Sequence, residues 1–153
     1  MTLSLLLFLH LVSFAAYVGA GFAQNNFLKA SAGDALAPAI RAEYERLAAA
    51  IVTKIELPAI FGAIVSGIGF LGTNPALMRQ GWLHAKLTCV LLLAVLSHLE
   101  MFNARRIVRA REGAASDAEA VIAARKKRHA LFGTIGSLLV VVLLALVTFA
   151  RLA

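Results

Sequence analysis

Charge is scarce in this chain. Asp, Glu, Lys and Arg supply 15% of its 153 residues, where a soluble domain carries about 25%. Hydrophobic residues supply 61%, where about 45–50% is usual. That balance excludes a soluble globular enzyme and a disordered tail. Cysteine occurs once, as Cys89, which excludes an internal disulfide and a disulfide-stapled secreted module. Carboxylates are few, 8 against 15 Lys and Arg, giving a net charge of +7. No aromatic residues interleave with the basic runs, so nucleic acid is not an expected partner. There is no P-loop, internal repeat or low-complexity tract. Period-two alternation broken by turns is also missing, which argues against a membrane barrel.

What the chain does have is long apolar runs. Four are near the length of about 20 helical residues needed to cross about 30 Å of hydrocarbon. They cover residues 2–23, 51–72, 82–102 and 130–150, leaving connections over 24–50 and 103–129. The apolar run of the second, Leu57–Gly72, is short unless Leu47–Val52 extends it inward. The first loosely resembles a signal peptide near Ala20–Gln24, but it lacks a basic start and is longer than a usual signal core. It is therefore expected to be a true span. Helices are the remaining way to satisfy the backbone in lipid. The expected fold is all-α, an integral membrane four-helix bundle forming a single transmembrane domain over residues 1–153.

Loop charge sets the expected orientation. Lys29, Arg41, Arg46 and Lys54 lie between the first apolar run and Leu57–Gly72. Arg105, Arg106, Arg109, Arg111, Arg125, Lys126, Lys127 and Arg128 lie between the third and fourth. The opposite side has Arg79 and Arg151, with Lys86 just inside the third span. The bias puts both long connections in the cytoplasm and both termini outside. The same basic residues suit attraction to anionic membrane lipid. Both connections read as partly helical. Asp34 can cap a helix through Arg41, Tyr44 and Leu47. Ser116-Asp117-Ala118-Glu119 matches a capping box, and Gly113 breaks the Arg-rich extension before it. Thr73-Asn74-Pro75 is a turn signal.

All four histidines fall within or at the edge of spans: His10, His84, His98 and His129. An ionisable residue in a span is costly, so each is a functional candidate. His84 and His98 differ by about 40° in direction and about 21 Å along an ideal helix, so they share one face near opposite membrane surfaces. Depth matches His10 to His84 and His98 to His129, two candidate pairs of metal ligands. Paired imidazoles on facing helices can hold a haem iron from both sides. Gly133 and Gly136 follow His129 at one and two turns, where a missing side chain leaves room for a macrocycle. Ser13, Tyr17, Gly21 and Gln24 continue the His10 stripe. Zinc and copper fit less well, because the His, Cys and Met residues do not cluster. Cys89 reads as packing, as do Gly62, Ser66 and Gly69. Glu56 and Glu100 could serve as bases; their simpler role is pairing with Lys54 or Arg105.

The His-x13-His spacing is similar to that of respiratory cytochromes b, where one helix serves two haems. The segment Gly81-Trp82-Leu83-His84-Ala85-Lys86-Leu87 resembles the third helix of the HemJ-type protoporphyrinogen oxidases, small membrane haem proteins. Leu9-His10 resembles that family's early histidine, and His98 is similar in placement to a later one. The family belongs with a broader set that includes CopD-type copper resistance proteins. The resemblance implies haem b, one or two per chain, in a multi-pass protein of the bacterial inner membrane. It implies that protoporphyrinogen loses hydrogens while electrons pass through the haem, with quinone as the expected acceptor. His10 and His84 become the first haem-related positions, with Lys86 as the charged, candidate catalytic group. On an ideal helix, however, Lys86 points about 200° away from His84. Two other readings stay open. One is a dihaem electron-transfer subunit of a larger redox complex or homo-oligomer. The other is a copper transporter or structural subunit without haem.

Overall fold

A computed structural model describes residues 2–33, 35–113 and 117–149. Helix α1 covers Thr2–Ala30 and α2 covers Pro38–Ile51. A π-helical turn, Val52–Glu56, joins α2 to α3, Leu57–Thr73. A short 3-10 turn, Pro75–Arg79, leads to α4, Gly81–Glu112, and α5 covers Ala118–Phe149. Among the described residues there is no strand. Taking α2 to α3 as one helical path, four helices are long and apolar enough to cross a membrane. The four-helix membrane architecture expected from the apolar runs is therefore present.

The helices run further than the apolar runs alone suggest. Most of the two long connections is helical, because α1 continues to Ala30, α4 continues to Glu112 and α5 begins at Ala118. The physical reason is that a helix satisfies its own backbone, so it can leave the hydrocarbon without unravelling. The helix expected through Arg41, Tyr44 and Leu47 is α2, with Pro38 in its first turn, where a missing N–H costs nothing. Gly113 ends α4, its N–H bonding to Arg109 O. The proposed caps Asp34 and Ser116 lie outside the described residues.

The π turn ends two residues before Pro58. Proline removes a backbone donor and crowds the carbonyl four residues earlier. Here the Leu57 N–H bonds to Val52 O, five residues back, so the helix is already widened where the ring arrives. The widened turn carries Glu56 into the bundle, where it is 1% exposed.

Packing divides into two regions. Near mid-membrane, Tyr17, Ala59, Ile60, Cys89, Leu93 and Leu143 form one core. Toward the basic end, Leu28, Ala48, Ile107 and Ile122 form another. Helix α1 packs along α2 and α3, and α4 packs along α5, while α1 and α5 meet over a short stretch. Lipid is as apolar as leucine, so close approach at small residues supplies much of the association. Gly62 is such a place: a β-carbon there would stand 2.6 Å from Ser13 Oγ on α1. Phe8, Phe61, Leu91 and Leu138 point outward, as lipid-facing side chains do.

At the basic end, Glu45 is 1% exposed and is held by two cations. Arg111 grips it with two bonds, Nε to Oε2 at 3.0 Å and Nη2 to Oε1 at 2.8 Å. Lys126 Nζ reaches Glu45 Oε1 at 2.7 Å and Ser31 O at 2.9 Å. Arg111 also binds Glu119. One carboxylate thereby ties α2, α4 and α5 together, and Lys126 adds the end of α1.

Candidate functional site

Four buried polar side chains from four elements meet near the basic end of the spans. Gln24 comes from α1, Glu56 from the π turn, Glu100 from α4 and His129 from α5. Their exposures are 0%, 1%, 5% and 1%. Gln24 is the hub. Its Nε2 donates to Glu56 Oε2 at 3.3 Å and to Glu100 Oε2 at 3.1 Å. Its Oε1 lies 2.5 Å from His129 Nε2. An amide oxygen can only accept, so the imidazole donates from Nε2. His129 Nδ1 is then the lone-pair nitrogen, and it is buried with no hydrogen-bond partner among the described residues. Glu100 Oε1 stands 4.0 Å from His129 Nε2. Further along, Ser97 Oγ donates to Tyr17 Oη at 3.4 Å.

Beside this cluster, between α1 and α5, lies a cavity of about 1120 Å³. Small-molecule sites commonly run about 300–1,000 Å³, so it has room for a large organic ligand. Tyr17, Gly21, Glu56, Glu100 and His129 contribute to its polar lining, and Val18, Phe22, Val140 and Val141 to its apolar walls. Lys29, Arg41, Lys126 and Lys127 also line it, with the carboxylate of Glu119 among them. Arg41 Nε is buried without a partner among the described residues. The cavity can therefore take a molecule with an apolar body and an anionic group.

The histidines separate. His129 lines the cavity; His10, His84 and His98 lie elsewhere. His10 turns toward α3, with Nδ1 3.0 Å from both Ala63 O and Ser66 Oγ and its ring edge-on to Phe70. His84 and His98 share a face of α4, as their spacing requires, and that face points out of the bundle. His84 Nε2 contacts Met78 O at 2.9 Å, and His98 Nδ1 contacts Ala94 O at 2.8 Å. The structure thus brings His10 to α3 and His129 to Gln24. Lys86 is half-buried on the inward side of α4, while His84 is exposed, and Lys86 lies within electrostatic reach of His10.

Metal-binding imidazoles usually give one N–H to a carbonyl and present the other nitrogen. His10 and His98 fit that pattern, because Nδ1–H on a backbone carbonyl leaves Nε2 as the lone-pair nitrogen. His84 gives its Nε2–H to Met78 O and so leaves Nδ1 as the lone-pair nitrogen. Among the described residues, no three His, Cys, Asp or Glu side chains group as a metal cage. A haem, which brings its own four nitrogens, needs only axial ligands.

The two glycines differ. A β-carbon on Gly133 would stand 2.6 Å from the Asn25 amide, so its room is used by Asn25. A β-carbon on Gly136 would meet nothing within 4 Å among the described residues, and Gly136 opens on the cavity. Glu56 and Glu100 were expected to pair with Lys54 or Arg105; instead both accept from Gln24. The signal available in the sequence was the polar stripe His10, Ser13, Tyr17, Gly21, Gln24, which needed acceptors on other helices. Comparison with protein-family models, curated proteins and solved structures finds no match to this chain.

Proposed function

We propose that this chain is a haem b-binding redox protein of the bacterial inner membrane. Its substrate is an amphipathic, proton-releasing molecule of the porphyrinogen class, with quinone as electron acceptor. The observation that carries the reading is the cavity: a basic end, apolar walls and a wholly buried acid–imidazole cluster at membrane depth. Carboxylates buried in a span are expensive, and their retention is a functional signal. Lys29, Arg41 and Lys127 suit the acidic side chains of such a substrate, and the apolar walls suit its ring system. Burial of the cluster excludes bulk water from a carbon or nitrogen that is losing a proton.

His10 is the histidine turned into the bundle against α3 that would hold a haem iron through Nε2, because its Nδ1–H is spent on Ala63 O. Haem b bound there would supply one-electron chemistry. The cavity reaches Tyr17, seven residues from His10 and so about 10 Å along α1. The test is protoporphyrinogen oxidation in lipid nanodiscs containing quinone, followed by porphyrin fluorescence. The expected result is quinone-dependent turnover that Gly136→Leu suppresses by filling the cavity. Turnover no faster than in empty nanodiscs would contradict the reading.

The dihaem reading is favoured by one observation. His84 and His98 face outward together, with His98 Nε2 presented, so haems held there would be completed by a second chain. That version predicts haem content that depends on the oligomeric state.

A further inference from the structure

We propose that His129, Glu100, Gln24 and Glu56 form a proton-accepting relay for the ligand in the α1/α5 cavity. The inference rests on the cavity being a substrate site, as argued above. Two independent observations carry it. Glu56 and Glu100 are bridged by the single amide of Gln24, at 3.3 and 3.1 Å. Separately, His129 lines the cavity, is 1% exposed, and keeps a buried Nδ1 without a partner among the described residues. A buried acceptor left unmade costs free energy, and an N–H or O–H of a bound ligand would satisfy it.

The transfer conserves atoms and charge. A proton leaves the ligand's N–H or O–H for the lone pair on His129 Nδ1. The imidazole then releases its other proton, the one on Nε2. That proton now points at Gln24 Oε1, 2.5 Å away, and Glu100 Oε1 is 4.0 Å from the same nitrogen. A shift of about 1 Å brings Glu100 to hydrogen-bonding distance, and the proton settles on its carboxylate. The electron pair of the broken bond stays on the ligand; no electron moves in this step. Gln24 holds Glu56 beside Glu100, and Glu56 is the second acceptor. The titratable groups facing the relay are Tyr17 from α1, Glu56 from the π turn, Glu100 from α4 and His129 from α5. Cationic Lys29, Arg41, Lys126 and Lys127 and the carboxylate of Glu119 line the same cavity.

The experiment has two arms on one nanodisc preparation of the full chain. The first needs no ligand: infrared difference spectra between acid, neutral and alkaline samples, in water and deuterium oxide. The expected result is a protonated-carboxyl band that Glu100→Gln removes and His129→Gln shifts. A band unmoved by His129→Gln, or one surviving both Glu100→Gln and Glu56→Gln, overturns the relay. The second arm uses protoporphyrinogen as the probe, with protoporphyrin binding followed by fluorescence. Glu100→Gln and His129→Gln should each slow turnover at saturating probe by about 10²-fold. Oxidation within about threefold of the parent in both variants overturns the relay, since a general base contributes at least about 10²-fold. If the parent chain neither binds nor oxidises the probe, the porphyrinogen reading fails, and the infrared arm alone decides the relay.

Discussion

At Gln24 one amide serves three partners, and each of its polar atoms is used. Removing it leaves two buried carboxylates and one buried imidazole without their shared partner. An unsatisfied buried group costs about 1–3 kcal/mol, more when charged. Gln24→Leu should therefore destabilise the protein by about 3 kcal/mol or more, read by denaturation in mixed micelles. An unchanged midpoint would mean that water replaces the amide. Part of this was legible in the sequence. His129 stood out because histidine at a span's edge is rare, and Gln24 lay on the His10 stripe. Their meeting was not legible, because it depends on α1 and α5, which are distant in the chain. The partners of Glu56 and Glu100 are illegible for a related reason. Lys54 and Arg105 are near in sequence, but two or five residues along a helix point to different faces.

Among the elements, α4 shows most plainly what periodicity can and cannot tell. Its spacing puts His84 and His98 on one face, and they are on one face. Spacing alone does not say which face looks inward; that is decided by Leu83, Cys89, Leu93, Ser97 and Glu100, all buried. Lys86 lies on the inward side, away from His84, as helical geometry requires. The π turn was invisible to apolar periodicity, and it sets the direction of Glu56. At the basic end, Arg111 and Lys126 read as members of a topological charge run, yet they enclose Glu45. Breaking a buried pair by removing one partner costs about 3–5 kcal/mol. Glu45→Ala should destabilise by about 3 kcal/mol on that basis, and more than Glu43→Ala, whose contact with Arg46 is exposed. Equal effects in the same denaturation assay would remove Glu45 from the account. Small residues give a second contrast. Gly62→Leu should wedge α1 from α3 and cost about 1–3 kcal/mol. Gly136→Leu should leave stability unchanged, because among the described residues a β-carbon there meets nothing within 4 Å.

For the whole molecule, four apolar helices enclose a polar site that the hydrocarbon would otherwise forbid. The apolar runs made the number of spans legible. The cavity was not legible, because it arises where two helices fail to pack. The account joins that cavity to a haem on α1, and haem content is where it is most exposed to test. The first measurement is a reduced-minus-oxidised visible spectrum of the purified protein, with pyridine haemochrome stoichiometry per chain. The account predicts haem b, lost in His10→Ala and retained in His84→Ala. A well-folded preparation without haem, or full haem content in His10→Ala, would contradict it.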